Sequence, residues 1–269
     1  PLRCEAPPVP MILATYLPIY RVIELEIFKT NIEIANPEKI VICIDYYFDK
    51  TQDVLYQQFV RELGEADTIK GNWRNRASCL LRLVRYIAES GGDGLIVDSD
   101  VLLPQQWREI DKKLNLPFYH LAHEPWRHKR VRKEIVNGVE IYYWKVKDPL
   151  AKYMQVFTGP KLGIRYKGLA LNLKAIDEVT AFFDQVDTYY SSIIADEVAL
   201  GIVYDLSGVK EVPFIVGARH YEHKSYPAVQ PDKNLHKCIY AKALFKLYGR
   251  FNYKLPQLRY LISQFLHCH

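Results

Sequence analysis

Two aspartates separated by one residue, Asp98 and Asp100, follow directly on the apolar run Gly94-Leu95-Ile96-Val97. A short apolar run bounded by Gly91-Gly92-Asp93-Gly94 predicts a central strand buried on both faces. In an extended chain, residues two apart project to the same side. The two carboxylates are therefore expected to point together from the carboxyl end of that strand, where open α/β sheets place their ligands. Carboxylates so close repel each other unless something positive lies between them. A divalent cation, Mg²⁺ or Mn²⁺, suits such hard oxygen ligands. Taken alone, Asp-Ser-Asp is also ordinary turn and cap chemistry, with Pro104 opening a helix.

Other residues add candidate chemistry. Asp45 ends the apolar run Lys39-Ile40-Val41-Ile42-Cys43-Ile44, which reads as a second strand. Asp196 and Glu197 stand at the front of an apolar helical pattern, where the helix dipole favours negative charge. His220 and His223 follow the last predicted strand, where a single histidine is more often structural or exposed. The basic run Arg127 to Lys133 could pair with an anionic ligand or simply be a solvated face.

The elements that must position these groups alternate. Strands are expected at Met11–Tyr16, Lys39–Asp45, Ala66–Lys70 and along Gly94–Leu103. Helices are expected from Pro18 to about Ala35, from Thr51 to about Leu63, and from Gly71-Asn72 through Ala88. This rhythm predicts an α/β fold with a mostly parallel central sheet flanked by helices. A further strand follows at Phe118–Glu124. Asn137-Gly138 between two β-prone runs then signals a hairpin in a small antiparallel part. Phe157–Gly163 is read as a loop, Lys167–Leu173 as a strand, Lys174 to about Tyr190 and Ser192–Tyr204 as helices, and Val212–Val216 as the last strand. Residues 233–269 are read as a basic, aromatic, helical extension beyond a domain spanning 1–232. That extension either packs on the domain or lies on a membrane surface.

Composition sets the outer bounds. The chain has 269 residues, 49% hydrophobic and 25% charged, with net charge +5 and a pI near 8.8. This fits an anionic ligand better than it demands nucleic acid. No uncharged apolar run is long enough to span a bilayer. Five cysteines, odd in number and widely spaced, suggest a reducing compartment rather than a disulfide framework or a zinc site. A cytoplasmic location is expected, with peripheral membrane contact through the C-terminal segment as an option.

Four pieces, in order, resemble the GT-A fold nucleotide-sugar glycosyltransferases, nearest to the large inverting family of polysaccharide and glycolipid synthases. They are the strand carrying Thr15-Tyr16 with the strand ending at Asp45, the segment Gly71-Asn72-Trp73-Arg74-Asn75-Arg76-Ala77, Asp98-Ser99-Asp100, and Asp196-Glu197-Val198-Ala199-Leu200-Gly201. The resemblance covers about residues 10–225. It implies that Thr15, Tyr16, Asp45, Asn72, Arg76 and Asp98 meet the donor, and that Asp98 and Asp100 hold a metal–diphosphate complex, with His220 as a further ligand. It implies Glu197 as general base, with Asp196 beside it. Residues 10–103 would then hold the nucleotide sugar and 118–225 the acceptor, a glycan, glycolipid or protein. The family often has Glu-Asp where this chain has Asp-Glu. No Gln-X-X-Arg-Trp motif follows near the C-terminus, which suggests transfer of a single sugar.

Two rivals remain. A sugar-phosphate nucleotidyltransferase would want a Gly-rich, basic loop after the first strand, where this chain reads Thr15-Tyr16-Leu17-Pro18. A nucleic-acid-binding protein would want striped basic residues and a recognition motif. Here the basic residues are dispersed among acids.

Overall fold

The computed structural model describes residues 10–18, 22–45, 61–71, 76–123, 131–146, 161–184 and 195–221. The strands are β1 (Ile12–Pro18), β2 (Lys39–Asp45), β3 (Ala66–Lys70), β4 (Asp93–Val97), β5 (Val101–Leu102), β6 (Phe118–Ala122), β7 (Arg132–Val136), β8 (Val139–Lys145), β9 (Gly163–Lys167), β10 (Glu211–Val216) and β11 (Arg219–His220). The described helices are α1 (Val22–Ala35), α2 (Arg76–Glu89), α3 (Trp107–Lys113), α4 (Leu173–Phe183) and α5 (Ala195–Leu206). Nine strands form one sheet in the order β3-β2-β1-β4-β9-β6-β10-β8-β7, and β11 pairs with β5 in a separate ribbon.

The expected mostly parallel sheet flanked by helices is present. The pairs β1–β2, β2–β3, β1–β4 and β6–β10 are parallel. The order β3-β2-β1-β4 makes the chain build outward from β1 in one direction and then return to its other side. The crevice between the carboxyl ends of β1 and β4 is thus a topological switch point.

Both faces of the sheet are covered, which explains the continuous apolar runs in the sequence. On one face Ile12, Ala14 and Tyr16 of β1 join Val41 and the buried residues of α2, α4 and α5. On the other, Leu13, Ile42, Leu95 and Val97 pack with Phe28 of α1 and Trp107 of α3. The turn from α2 into β4 needs Gly91 and Gly92, at φ 104° and 82°. Gly94 has no room for a side chain, because a Cβ there would come within 2.6 Å of Ile87.

The hairpin at Asn137-Gly138 forms as expected. Both residues have positive φ, 51° and 80°, as a two-residue turn that matches strand twist requires. Its strand β8 pairs antiparallel with β10, so the insertion extends the main sheet.

Three expectations are corrected. The strand placed at Lys167–Leu173 is β9, at Gly163–Lys167, antiparallel between β4 and β6. The glycines and proline before it suggested a loop. Its Arg165 is buried, because Asp93 at 2.7 Å and Asp111 at 3.2 Å pair with it. The central strand, read through Leu103, stops at Val97. Val101 donates its N–H to the Asp98 carbonyl at 3.0 Å, closing a turn over Asp-Ser-Asp. Lastly, Cys43 and Cys79 are joined in a disulfide. Their 36-residue separation concealed that α2 lies on β2, with the two Cα atoms 5.7 Å apart. The reading of reduced cysteines fails for this pair; Cys4, Cys238 and Cys268 lie outside the described residues. So do most of the helix read at 51–63, the basic run up to Arg130, and the extension from 233 to the end.

The disulfide closes a loop long enough for the chain-entropy estimate to reach about 4 kcal/mol, and measured bridges commonly give about 2–4. Cys79→Ser should therefore lower unfolding free energy by about 2–4 kcal/mol in denaturant melts. Adding reductant should lower the wild-type midpoint and leave the variant unchanged.

Candidate active site

The switch point is built from β1, β4, the residues leading into β9, and the first turn of α5. Tyr16 and Asp98 follow the paired segments of β1 and β4, and Thr15 donates its hydroxyl to the Val97 carbonyl at 2.8 Å. Thr15 thereby locks the two strand ends together. The Tyr16 hydroxyl donates to Asp98 Oδ1 at 2.6 Å and lies 3.1 Å from Asp196 Oδ2.

Lys161 completes the cluster. Its Nζ lies 2.8 Å from Asp98 Oδ1, 3.2 Å from the Tyr16 hydroxyl and 3.3 Å from Asp196 Oδ2. The lysine side chain is 1% exposed, and those of Asp98 and Asp196 are 10% and 4% exposed. Burial works against the ammonium. Asp98, Tyr16, Asp196 and Glu197 outweigh it and hold the Lys161 pKa well above the ordinary lysine value. One cation therefore neutralises two carboxylates drawn from opposite halves of the chain.

A second pair stands on the other side of the Asp-Ser-Asp turn. His220 Nε2 lies 3.0 Å from Asp100 Oδ2. The ribbon β5–β11 sets this pairing, with His220 opposite Val101 and Tyr221 donating its N–H to the Asp100 carbonyl at 2.9 Å. Asp98 and Asp100 thus turn to different partners, Lys161 and His220. The turn, in place of the extended chain expected there, is the physical reason.

Helix α1 holds the turn from behind. Ser99 donates its hydroxyl to the buried Glu24 carboxylate at 2.9 Å. Asn31, also buried, donates to the Val101 carbonyl at 2.7 Å and accepts from the Leu103 N–H at 2.9 Å.

Among the described residues, no three His, Cys, Asp or Glu side chains gather as a metal-ligand set. The donor chemistry still suits a divalent cation at Asp100 and His220. A carboxylate oxygen is a usual ligand of Mg²⁺ and Mn²⁺, and an imidazole nitrogen is a common metal ligand. Mg²⁺-type sites commonly take one or two protein ligands and complete the shell with phosphate and water. Asp98 fits such a role less well, since an ammonium already occupies its Oδ1.

Of the residues expected at the site, Thr15, Tyr16, Asp98, Asp100, Asp196 and His220 gather around the switch point. Glu197 is half-buried in the first turn of α5, next to Asp196. Asp45 ends β2 opposite Pro18 of β1, and its side chain lies outside the described residues, as do Asn72, His223 and the Arg76 side chain. Lys161, Glu24 and Asn31 were not anticipated. Lys161 sits in a Gly-Pro-Lys-Leu-Gly stretch that reads as a plain loop. The only hint for Glu24 and Asn31 was a polar residue on the inward side of an apolar helix.

No protein-family model matches the chain, and no curated protein does. Among solved structures it is similar to the inositol-1-phosphate CTP transferase from T. maritima, with TM-score 0.45 and 11% identity over 87% of this chain and 96% of that one. It is also similar to S. aureus TarS 1–349, with TM-score 0.39 and 12% identity over 96% of this chain and 71% of that one. The same TarS fragment in complex with UDP-GlcNAc gives 0.38 and 13%, over 96% and 72%. The fold class rests on the sheet order itself.

The α1 clamp makes a direct forecast. Asn31→Ala leaves the Val101 carbonyl and the Leu103 N–H buried without their present partner, at about 1–3 kcal/mol for each unsatisfied group. Chemical denaturation should show a loss of at least about 2 kcal/mol. A loss under about 0.5 kcal/mol, the range of ordinary surface substitutions, would show that the clamp does not hold the turn.

Proposed function

We propose that the protein is a glycosyltransferase that moves one sugar from a nucleotide diphosphate sugar, with UDP or GDP as the nucleotide, to an acceptor hydroxyl with inversion. The observation that carries this reading is the contact between Asp98, at the end of β4, and Asp196, in the first turn of α5, through Lys161. It ties the strand end that leads into Asp100 to the helix turn that carries Glu197, which supports a reading in which a donor diphosphate and an acceptor meet at the switch point.

Each step asks something of a named group. The anomeric carbon gains a bond to the acceptor oxygen and loses its bond to the diphosphate. The acceptor hydroxyl must give up its proton, which Glu197 accepts as general base. Asp100 and His220 would hold Mn²⁺ or Mg²⁺, which supplies charge neutralisation for the leaving diphosphate. Asp196 keeps the first turn of α5 in place through Lys161 and Tyr16. Asp45, Asn72 and Arg76 would meet the donor, while the buried Thr15 and Tyr16 hold the strand ends behind it, and a glycan, glycolipid or protein supplies the hydroxyl. Among the described residues no helix is long and apolar enough to cross a membrane.

The second reading is a sugar-phosphate nucleotidyltransferase, which also fits a doubly wound sheet and a nucleotide with a sugar. Its nucleophile is a phosphate oxygen, already anionic, which needs no base and is repelled by nearby carboxylates. The acids heading α5 therefore favour a neutral hydroxyl as the acceptor. So does the absence of glycine in Thr15-Tyr16-Leu17-Pro18.

The deciding experiment offers UDP-, GDP- and dTDP-sugars with Mn²⁺ or Mg²⁺, and in parallel nucleoside triphosphates with sugar 1-phosphates. Release of nucleoside diphosphate from a nucleotide sugar is expected. Release of pyrophosphate from the second mixture alone would replace this reading with the alternative. Glu197→Gln should lower turnover by at least about 10²-fold, the scale of general-base catalysis, with donor affinity little changed. Asp100→Asn should weaken Mn²⁺ binding by at least about 10-fold in calorimetry. Unchanged Mn²⁺ affinity would remove Asp100 from the metal site.

A further inference from the structure

We propose that Lys161 is a positioning residue of the transfer reaction, the tie that holds the acceptor-side helix α5 in register with the donor-side Asp98. The proposal rests on the glycosyl-transfer reading for its kinetic consequence, and on geometry for the tie itself.

A lysine beside a diphosphate site invites a simpler role, direct contact with phosphate. The hydrogen-bond inventory argues against it. An ammonium has three N–H donors and no acceptor. Lys161 Nζ has three oxygen partners within 3.3 Å, on Asp98, Tyr16 and Asp196. Reaching a phosphate would mean giving up one of them inside a cluster with almost no access to water. A carboxylate left in that position loses its counter-charge, which is strongly destabilising for a buried pair.

The backbone around Lys161 is anchored as firmly as its side chain. The next residue, Leu162, accepts the Asp98 N–H at its carbonyl at 3.0 Å and donates its own N–H to the Leu121 carbonyl at 2.8 Å. The Asp98 backbone and side chain are thus both fixed by consecutive residues, Leu162 and Lys161. Asp196 is then fixed to the same point. Because Glu197 follows Asp196 in the first turn of α5, the tie sets where the base stands relative to the donor.

Electrostatics give the tie its direction. Asp98 and Asp196 both approach the Tyr16 hydroxyl, and without a cation between them they repel. Lys161→Met should let the first turn of α5 relax away from β4. Small displacements of a reacting group cost about 10²-fold in rate.

The test compares wild type with Lys161→Met, Lys161→Gln and Lys161→Arg. Transfer turnover, nucleotide affinity by calorimetry, and amide hydrogen exchange across residues 195–206 are read on each folded variant. In Lys161→Met, turnover should fall by at least about 10²-fold, nucleotide Kd should stay within about 3-fold, less than one 1.4 kcal/mol tenfold step, and exchange in the first turn of α5 should rise. Lys161→Arg keeps the cation and should recover part of both turnover and protection. If Lys161→Met does not fold, Lys161→Gln carries the same comparison with hydrogen-bonding capacity kept and charge removed. Unchanged protection in α5 overturns the tie whatever reaction the enzyme performs. Loss of nucleotide affinity in step with turnover overturns it in favour of a phosphate ligand. A wild-type enzyme with no transfer activity refutes the glycosyl-transfer reading, while the exchange result still decides the tie.

Discussion

A buried ammonium between two carboxylates is the constraint on which the rest of this structure turns. None of the three charges is stable alone in so dry a place. Removing one partner of such a cluster costs about 3–5 kcal/mol, because the others remain buried and uncompensated. Asp98 stands at the end of β4, Lys161 before β9, and Asp196 on α5. The cluster is therefore satisfied only when all three elements are in place together. A cluster of this kind adds little net stability over a well-packed apolar equivalent. What it does here is define one arrangement of the two halves.

The sheet makes that arrangement available. Its reversal of direction at β1 leaves a crevice between strand ends, and the parallel pairing of β1 with β4 carries Tyr16 and Asp98 to the same side of it. At the opposite end of β4, Arg165 joins Asp93 and Asp111, and the Tyr119 hydroxyl donates to Asp111 at 2.7 Å. Two buried charged clusters thus stand at opposite ends of β4, with Leu95 and Ile96 buried between them. The lower cluster secures β9 between β4 and β6, and the upper one gathers the groups of the proposed chemistry.

Much of this was legible in the sequence, for reasons that can be stated. β2 was read at its observed boundaries because Ile40 to Ile44 is a compact β-prone run, and the weaker β3 because glycines at 64 and 71 bracket it. Asn137-Gly138 gave the hairpin because few dipeptides adopt two consecutive positive φ angles. α2 was legible from its three- and four-residue apolar steps. β9 was not, because its Arg165 is buried by partners that no local pattern reveals. Lys161 was illegible for the same reason, since Asp98 is 63 residues away and Tyr16 145. Asp98 and Asp100 were recognised as a pair, but their geometry depends on whether the chain is extended or turned there. Glu24 and Asn31, which hold that turn, lie about 70 residues earlier in the chain.

The bond between Cys43 and Cys79 has a topological consequence. It turns residues 43–79 into a covalent ring that encloses the stretch carrying Asp45 and Asn72. A ring tolerates one break. If a protease cuts the backbone once anywhere inside it, both fragments remain attached and the molecule keeps its mass until a reductant separates them. The stretch between β2 and α2 thus carries its own insurance against nicking, written in one pair of sulfur atoms.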